Sequence, residues 1–295
     1  MEMNISLISV APVSYYWQRE DLLRFYADIA ESAAQVVYLG EVVCGRRHQM
    51  RLDDWLALAH TLRDAGKTVV LSTQTLIDSE SDRRAMHKLV EKALAAQFQV
   101  EANDLGAVRV LQDQSFIAGP HLNAYHGGTL SWLVALGASR FVVPLEMSGS
   151  ELQRLLAEIP AGLQCELQVW GRLALAFSAR CFTARHFRLQ KDHCEFRCIE
   201  YPDGLPLQTR EQGEFLTLNG IQTQSAHCLD LLAQTQEVQT LGVHVLRVNP
   251  MSQGTLEAIE ALHSGSHARQ PLPAGIGRCN GYWFDRPGMD WVETA

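Results

Sequence analysis

The sequence lacks any apolar run close to the ~20 residues that a membrane-spanning helix needs. Its first residues, MEMNISLISVAPVSYYW, contain neither a basic stretch nor a small-residue cleavage site, so they do not indicate an export signal. We therefore expect a cytoplasmic protein, in which cysteines stay reduced and clusters of them point to metal binding or catalysis. The odd count of 7 cysteines also argues against a complete disulfide framework.

Basic residues are also fewer than acidic residues. The chain has 25 Lys and Arg against 33 Asp and Glu, a formal net charge of −8. A broad nucleic-acid surface needs a basic face, so we expect no direct nucleic-acid partner. No G-x-G-x-x-G follows the first apolar run, and neither HExxH nor G-x-S-x-G occurs. Dinucleotide binding and the common hydrolase mechanisms therefore have no motif to support them.

The pattern that is present is an alternation of strands and helices. Apolar residues recur at i, i+3 and i+4 in 19–33 and 51–66, which predicts half-buried helices. The short apolar runs that predict strands are 5–10, 36–40, 68–73, 98–103, 116–119, 141–145, 165–172 and 243–248. This alternation implies a parallel sheet with right-handed crossovers, and the number of strands favours a (β/α)8 TIM-like barrel over an open sheet. We predict a single barrel domain over residues 1–295.

One interval departs from the alternation of strands and helices. Residues 173–242 separate the seventh predicted strand from the eighth and include a polar, hairpin-like segment. Long insertions at the C-terminal face of a barrel often carry function. The interval holds Cys181, Cys194, Cys198 and Cys228. The C-terminal tail, 267–295, is rich in Trp and Tyr, and we expect it to wrap the surface or contact a partner.

The cysteines can be sorted by their place in the predicted barrel. Residues that follow the C-terminal ends of strands converge at one mouth, and Cys44 follows the second strand while Cys181 follows the seventh. Cys165 opens its strand at the opposite end, and Cys279 lies in the tail. Cys228, which we place at the start of a predicted helix AHCLDLLAQ, is the remaining rival. The four-thiolate set that topology favours is Cys44, Cys181, Cys194 and Cys198.

Four thiolates suit either zinc or an iron–sulfur cluster. The spacing C-x12-C-x3-C leaves this choice open, and His193 is an alternative zinc ligand. Nearby arginines favour an anionic centre, because a four-iron cubane with four thiolates is net negative. These arginines are Arg180, Arg185, Arg188 and Arg197. The alternative that the cysteines are ordinary small hydrophobic residues also stays open.

Several stretches together resemble the collagenase-like peptidase U family over essentially the whole chain. They are FIAGPHLNAYHG (116–127), GRLALAFSARCFTARHF (171–187), the following C-x3-C, LNGIQTQSAHC (218–228) and CNGYWFDRPGM (279–289). The resemblance implies a [4Fe–4S] cluster, and the matching ligand positions are Cys44, Cys181, Cys194 and Cys198.

The branch of the family that the sequence resembles is required for O2-independent hydroxylations in bacterial ubiquinone biosynthesis. The resemblance implies a heterodimer with a second cluster-bearing family member and a lipid-binding accessory protein. It also implies a prenylated phenol or quinone precursor as substrate and a metabolite such as prephenate as the oxygen donor. Other family members hydroxylate RNA. The alternatives are a non-catalytic binding or scaffold subunit, an RNA-hydroxylating protein, and a peptidase in which Cys44 and His48 pair as nucleophile and base.

Candidate substrate-binding residues lie at the predicted strand ends, although no catalytic acid, base or nucleophile can be assigned. Arg172 and Arg247 suit the carboxylates of a prephenate-like donor, because a guanidinium binds carboxylates bidentately. His121 and Asn123 are candidates because they lie in a stretch that matches the family. The remaining polar residues at strand ends are Glu41, Asn103, Asp104, Glu146 and Asn249.

Overall fold

The computed structural model describes residues 6–266 and 268–293. The barrel strands are β1 (Leu7–Val10), β2 (Val36–Leu39), β3 (Thr68–Ser72), β4 (Gln99–Ala102), β5 (Phe116–Ala118), β6 (Ala138–Val142), β7 (Gln164–Phe177) and β11 (Val245–Val248). They pair in parallel in this order, and β11 pairs with both β1 and β7, so the sheet closes on itself. The predicted (β/α)8 TIM-like barrel is confirmed.

Helices cover the outside of the barrel. They are α1 (Arg19–Glu31), α2 (Leu52–Asp64), α3 (Glu80–Ala95), α4 (Leu105–Val110), α5 (Gly127–Ala135), α6 (Gly149–Leu156), α8 (Thr235–Thr240) and α9 (Thr255–Ser264), while the short helix α7 (Phe182–His186) belongs to the insertion. The predicted helices 19–33 and 51–66 correspond to α1 and α2. In α1, the buried residues Leu22, Tyr26 and Ile29 recur at helical spacing, which is why this segment folds as a helix against the barrel.

The barrel strands are buried on both faces, as is usual for a parallel sheet covered by helices. In β2, Val37 and Leu39 belong to the large core between sheet and helices, whereas Val36 and Tyr38 belong to a small separate cluster. Because side chains alternate along a strand, this second cluster lies on the inner face of the barrel. The barrel interior is therefore packed with side chains rather than being a pore.

The insertion forms a small antiparallel extension of the sheet. The C-terminal half of β7 continues beyond the barrel and pairs with β10 (Gln222–Asp230), and β10 pairs with β9 (Glu214–Asn219). β9 forms a hairpin with β8 (Leu205–Gln208), as the polar, hairpin-like segment predicts. The predicted helix at Cys228 is wrong. Cys228 lies inside β10 and is fully buried, because β10 is paired along both edges, a tertiary constraint that local helical spacing does not report.

The described part of the tail packs on the barrel. β12 (Arg278–Cys279) pairs in parallel with β10, and a 3-10 turn follows at Gly281–Phe284. Trp283 is buried against α6, where a side chain on Gly149 would come within 2.9 Å of its ring. Contact of the tail with a partner stays a prediction, and His267, Thr294 and Ala295 lie outside the described residues. Within the described ranges, no helix is long and apolar enough to cross a membrane.

Candidate functional site

The four selected cysteines lie in three segments that meet beside the barrel mouth. Cys44 is in the connection between β2 and α2, and Cys181 is the N-cap residue of α7. Cys194 and Cys198 lie in the insertion, next to and within short 3-10 turns. All four are partly buried. Cys181 is close enough to each of the other three to interact with it electrostatically, so the structure brings the set together.

Local backbone hydrogen bonds hold these segments in place. The Glu41 carboxylate accepts the backbone N–H groups of Val43 and Cys44, each at 3.0 Å, and so fixes the turn after β2. The backbone N–H of Ala184 donates to the Cys181 sulfur at 3.4 Å. Between Cys194 and Cys198 the chain passes through two left-handed residues, each with φ 52°, which reverse its direction.

Arg47 lies at the centre of this group with only 2% of its side chain exposed. Its guanidinium donates to the Ser14 carbonyl and to Asn219 Oδ1, each at 2.7 Å, and its charge acts on the Cys44 and Cys198 thiols. The Arg47 Nε group is buried and has no acceptor in the part of the chain that the structure describes. The Glu41 carboxylate lies 3.6 Å from the Arg47 guanidinium and compensates its charge in part, so Nε is the Arg47 donor that stays without an acceptor there.

Burial controls the protonation of the thiols. It raises the pKa of Cys44 to about 11 and also raises the pKa values of Cys181 and Cys198. The Arg47 charge and the backbone N–H groups at Cys44 and Cys181 act in the opposite direction. These thiols are therefore protonated at neutral pH and release protons when they bind a metal. The N–H groups would then stabilise thiolate sulfur, as hydrogen bonds do around iron–sulfur clusters.

The chemistry of this donor set fits an iron–sulfur cluster. A single zinc requires four sulfurs about 2.3 Å from one point. In a cubane cluster each thiolate binds a different iron, so its ligands lie further apart. Four partly buried thiols, N–H donors to sulfur and a buried guanidinium are the features that a net-negative cluster needs.

The barrel mouth is a second polar region, next to the cysteines. A cavity of about 50 Å³ lies where the strands end, and its polar lining includes Glu101, Asn103, His121, Gln168, Arg247 and Asn249. Arg247 forms ion pairs with Glu101 at 2.9 Å and with Glu166 at 3.1 Å, and it stacks over the Tyr38 ring at 4.3 Å. Burial works to lower the pKa of Arg247, but the two carboxylates raise it above its ordinary value.

The ion pairs of the mouth continue into the barrel interior. Arg140 pairs with Glu166 at 3.2 Å, and the Tyr38 hydroxyl also donates to Glu166. Ser9 Oγ donates to the other oxygen of that carboxylate at 2.8 Å. Two buried cations thus face two buried carboxylates, Glu101 and Glu166. The charges in this region balance one another without a ligand.

The structure separates the four predicted substrate-binding residues. His121 and Arg247 line the mouth, and burial together with the Arg247 charge lowers the pKa of His121 to about 4, so its imidazole is neutral. Asn123 is exposed at the left-handed end of the Pro120–Leu122 turn and does not line this cavity. Arg172 is buried and donates to the Asp203 carbonyl at 2.6 Å. Both arginines therefore already have protein acceptors.

The remaining strand-end candidates have different surroundings. Asn103 and Asn249 line the mouth, Glu41 belongs to the cysteine site, and Asp104 caps α4 through the Gly106 N–H. Sequence reasoning missed Arg47, Glu101, Arg140 and Glu166. A charged residue inside an otherwise apolar strand, as in QVEA, ASRFV and CELQVW, is a signal that could have identified the last three.

An apolar layer and a polar path connect the two regions. Phe177 packs against the same cluster of Val42, Val43 and Ile221 as Cys44 and Cys181 do, and it also packs edge-on against the His121 ring, with ring centroids 4.8 Å apart. The polar path runs through Asn219, whose side-chain N–H donates to the Ser14 carbonyl at 2.8 Å. The Arg47 guanidinium donates to the same Ser14 carbonyl and to Asn219 Oδ1. Ser14 lines the barrel mouth. The guanidinium beside the thiols is therefore one hydrogen bond away from a residue of the mouth.

The proposed nucleophile–base pair of a peptidase has little support in this geometry. His48 is exposed, and its backbone N–H donates to the Tyr16 hydroxyl at 3.2 Å. Cys44 packs against the cluster of Val42, Val43 and Ile221. Its raised pKa leaves little thiolate at neutral pH, and the thiolate is the nucleophilic form.

Comparison with known proteins gives a family match and several structural similarities. The chain is 12% identical to the U32 peptidase Mk0906, covering 85% of this chain and 95% of that one, with a TM-score of 0.46. It is also 12% identical to ligand-free tryptophan synthase from M. tuberculosis, covering 88% and 91% of the two chains, with a TM-score of 0.47. Residues 22–261 match the family model described as peptidase family U32. Because this match spans most of the sequence, the chain belongs to peptidase family U32.

Proposed function

We propose that this U32 protein is the iron–sulfur subunit of an O2-independent hydroxylase in ubiquinone biosynthesis, the role of the UbiV proteins that its sequence resembles. The observation that carries the proposal is the meeting of Cys44, Cys181, Cys194 and Cys198 around the buried Arg47 guanidinium. These cysteines stand at the positions that the resemblance assigns to cluster ligands. The donor chemistry and the buried positive charge both favour an anionic cluster.

The residues of the chain have distinct parts in this proposal. When bound, the cluster would supply one-electron transfer. Arg47 would neutralise part of its charge, and the N–H groups of Arg46, Thr183 and Ala184 would hydrogen-bond to the sulfurs of Cys44 and Cys181. The apolar residues Val42, Val43, Phe177 and Ile221 would cover one side of the site. The oxygen atom of the new hydroxyl group would come from a metabolite such as prephenate.

The partners in this proposal are a second cluster-bearing family member, UbiU, and the lipid-binding protein UbiT. Exposed apolar side chains on the insertion and the tail support an interface there. They include Leu175, Phe215 and Met289, which are 39%, 47% and 49% exposed and line one shallow groove. A prenylated phenol or quinone precursor would be the substrate of the assembled complex.

A non-catalytic scaffold subunit is the second candidate. The observation that favours it is the completeness of the buried ion network in the barrel, where Arg140 and Arg247 are already paired with Glu101 and Glu166. A network in which each acid and base is already paired is better suited to stabilising the fold than to transferring protons. In this alternative the partner performs the chemistry, and the cluster holds the insertion against the barrel.

Anaerobic reconstitution with iron and sulfide tests the cluster. We expect iron and sulfide in equal amounts and an EPR signal after reduction. Cys198→Ser should lose both, whereas Cys165→Ala, a matched change of a buried cysteine in the barrel wall, should retain them. A colourless protein with one zinc and no sulfide would contradict the proposal.

The hydroxylase role needs a separate assay. The reconstituted chain, alone and together with UbiU, is supplied with a prenylated phenol and prephenate under strict exclusion of O2. Product formation by the pair, lost in Cys198→Ser of this chain, is expected. Product from UbiU alone at the full rate would favour the scaffold role instead.

A further inference from the structure

The surface beside the four cysteines carries positive charge that no described residue neutralises. Residues 179–200 contain five Lys and Arg against three Asp and Glu, so their local formal charge is +2 in a chain whose net charge is −8. Arg180, Arg185 and Arg188 are exposed there. In the part of the chain that the structure describes, none of these three guanidinium groups forms an ion pair or a hydrogen bond.

Most other charges around these arginines are already paired. The ion pairs are Arg46–Asp192 at 2.6 Å, Lys191–Asp78 at 2.5 Å and Arg197–Glu200 at 2.9 Å. Glu195 is the acidic residue of 179–200 that has no ion pair among the described residues. The unpaired charge of this surface is therefore mainly positive, and it comes from the three exposed arginines.

The three arginines share one short piece of structure. The helix α7 has five residues and is about 7.5 Å long, with Arg185 in its last turn and Arg180 just before its N-cap residue. Arg188 follows the helix, and its backbone N–H donates to the Arg185 carbonyl at 3.0 Å. Because this segment is about as long as the Debye length at physiological salt, the three charges act together on an approaching molecule.

Exposed aromatic side chains border the same cysteines. Phe182 and Phe196 are each 36% exposed. Phe182 directly follows Cys181, and Phe196 lies between Cys194 and Cys198. Aromatic residues and arginine are enriched in protein–protein interfaces and dominate their binding energy. This combination of exposed rings and unpaired guanidinium groups suits a protein partner.

The charge pattern favours an acidic protein over a nucleic acid. Nucleic-acid binding draws on a broad basic face that neutralises many phosphates. Three arginines in so short a segment neutralise few phosphates, and the exposed Glu195 carboxylate belongs to the same surface. A folded acidic protein presents a patch of carboxylates of limited size, and each carboxylate can be bound bidentately by a guanidinium.

The position of the surface indicates the kind of acidic protein. Cys181 is the N-cap residue of α7, so the segment that carries the arginines also carries one of the four thiols. A protein that docks on α7 therefore comes close to a cluster held by these thiols. Electron carriers form weak complexes with small interfaces, and complementary charge speeds their association.

We propose that the surface formed by Arg180, Arg185, Arg188, Phe182 and Phe196 docks a small acidic protein that carries one electron. The inference rests on the proposed function, since the cluster is the group that exchanges the electron. One electron would leave the reduced carrier, which is thereby oxidised, and would reduce the cluster, without any change in bonds or protons. The surface differs from the apolar groove assigned above to the second cluster-bearing subunit.

A plant-type [2Fe–2S] ferredoxin is the probe, because it is a small acidic one-electron carrier, and a basic cytochrome c of similar size is its counterpart. Fluorescence anisotropy measures the binding of each labelled carrier to the reconstituted full-length protein. We expect the ferredoxin to bind with a dissociation constant on the order of 10 μM at about 20 mM salt, and at least about tenfold more weakly at about 300 mM. The cytochrome should not bind.

Two charge reversals locate the binding. Arg185→Glu should weaken ferredoxin binding by about tenfold at low salt and make it less sensitive to salt. Arg154→Glu is the matched control, because Arg154 is exposed in the last turn of α6, at the end of the barrel away from the mouth, and it should bind like the wild type. Reduced ferredoxin mixed with the oxidised protein should produce the EPR signal of the reduced cluster, more slowly in Arg185→Glu.

Several results would overturn the docking surface. They are absence of ferredoxin binding, equal binding by wild type and Arg185→Glu, equal or tighter binding of the cytochrome, and loss of ferredoxin binding when the second cluster-bearing subunit is added. Tighter binding of a single-stranded polyuridine RNA that also depends on Arg185 would overturn it in favour of a nucleic acid. Iron and sulfide analysis decides the proposed function separately. A sample without iron contradicts that function, while the anisotropy measurement, which does not require the cluster, still decides the surface.

Discussion

The barrel interior and the four-cysteine site differ in how closely their buried charges are paired. In the barrel, Arg140 and Arg247 face Glu101 and Glu166, and each guanidinium has a carboxylate within 3.2 Å. At the cysteine site, Arg47 is equally buried, but its nearest carboxylate, Glu41, is 3.6 Å away. Its other partners are neutral oxygens and thiols. In the barrel both carboxylates are held by close ion pairs, whereas the ion pair of Arg47 with Glu41 is longer and leaves Arg47 Nε without an acceptor among the described residues.

Close ion pairs and looser ones respond differently when a charged partner is lost or gained. A buried ion pair that loses one partner leaves the other charge uncompensated, so a balanced network resists change. A cation whose counter-charge comes from a ligand is stabilised only when that ligand is present. The contrast leads to three predictions, given from the largest expected effect to the smallest.

Arg247→Met tests whether the barrel network is structural. The change leaves Glu101 and Glu166 with only Arg140, so we expect the free energy of unfolding to fall by about 3–5 kcal/mol. Arg46→Met is the matched control in the other region. Arg46 pairs with Asp192 at 2.6 Å, but their side chains are 39% and 76% exposed, so the loss there should be below about 1 kcal/mol. Urea denaturation measures both, and equal losses would contradict the contrast.

A second prediction concerns the pH dependence of the barrel mouth. The pKa of His121 is lowered to about 4 from an ordinary 6.5, first by burial and then by Arg247. The unfolded chain therefore binds this proton before the folded chain does. The stability contributed by the neutral imidazole is complete above pH 6.5 and is lost as the pH falls towards 4, by on the order of 3 kcal/mol in total.

His121→Gln should remove this part of the acid sensitivity. Unfolding free energies measured between pH 7 and pH 4 would show a shallower decline than the wild type. His87→Gln, on the exposed face of α3, is the control and should follow the wild-type curve. Parallel curves for His121→Gln and the wild type would show that His121 titrates normally in the folded protein.

The architecture was largely predictable from sequence because it depends on local periodicity. Apolar runs identified eight barrel strands, and helical spacing identified the helices α1 and α2. The prediction failed at Cys228, where pairing of β10 with both β7 and β12 decides the structure. Such pairing joins residues far apart in the chain, and no local pattern encodes it. The hairpin of β8 and β9 was visible because its polar turn lies between two short apolar segments.

The candidate sites were predictable only in part. Strand order places Cys44 and Cys181 at one face, which is a topological inference that needs no side-chain detail. The role of Arg47 depends on its burial and on contacts with Ser14 and Asn219, residues distant in sequence. Arg247 was selected as a carboxylate ligand because of its chemistry, but its engagement by Glu101 and Glu166 appears only in three dimensions. The pairing of buried charges therefore cannot be predicted from the sequence alone.

The smallest predicted effect concerns Arg47 and depends on the proposed cluster. Removing a buried positive charge beside a net-negative cluster disfavours its reduced, more negative state. In reconstituted protein, Arg47→Met should lower the reduction potential by on the order of 60 mV, which is a tenfold change for one electron. Arg47→Lys keeps the positive charge, so it should shift the reduction potential less than Arg47→Met does.

The matched control is Arg180→Met, an exposed arginine next to Cys181 whose charge is screened by solvent. An EPR-monitored redox titration measures the potentials, and iron content confirms that each variant is loaded. If Arg180→Met shifts the potential as much as Arg47→Met, general charge rather than the buried guanidinium sets the potential. The distinction between the two regions would then not extend to the redox properties of the site.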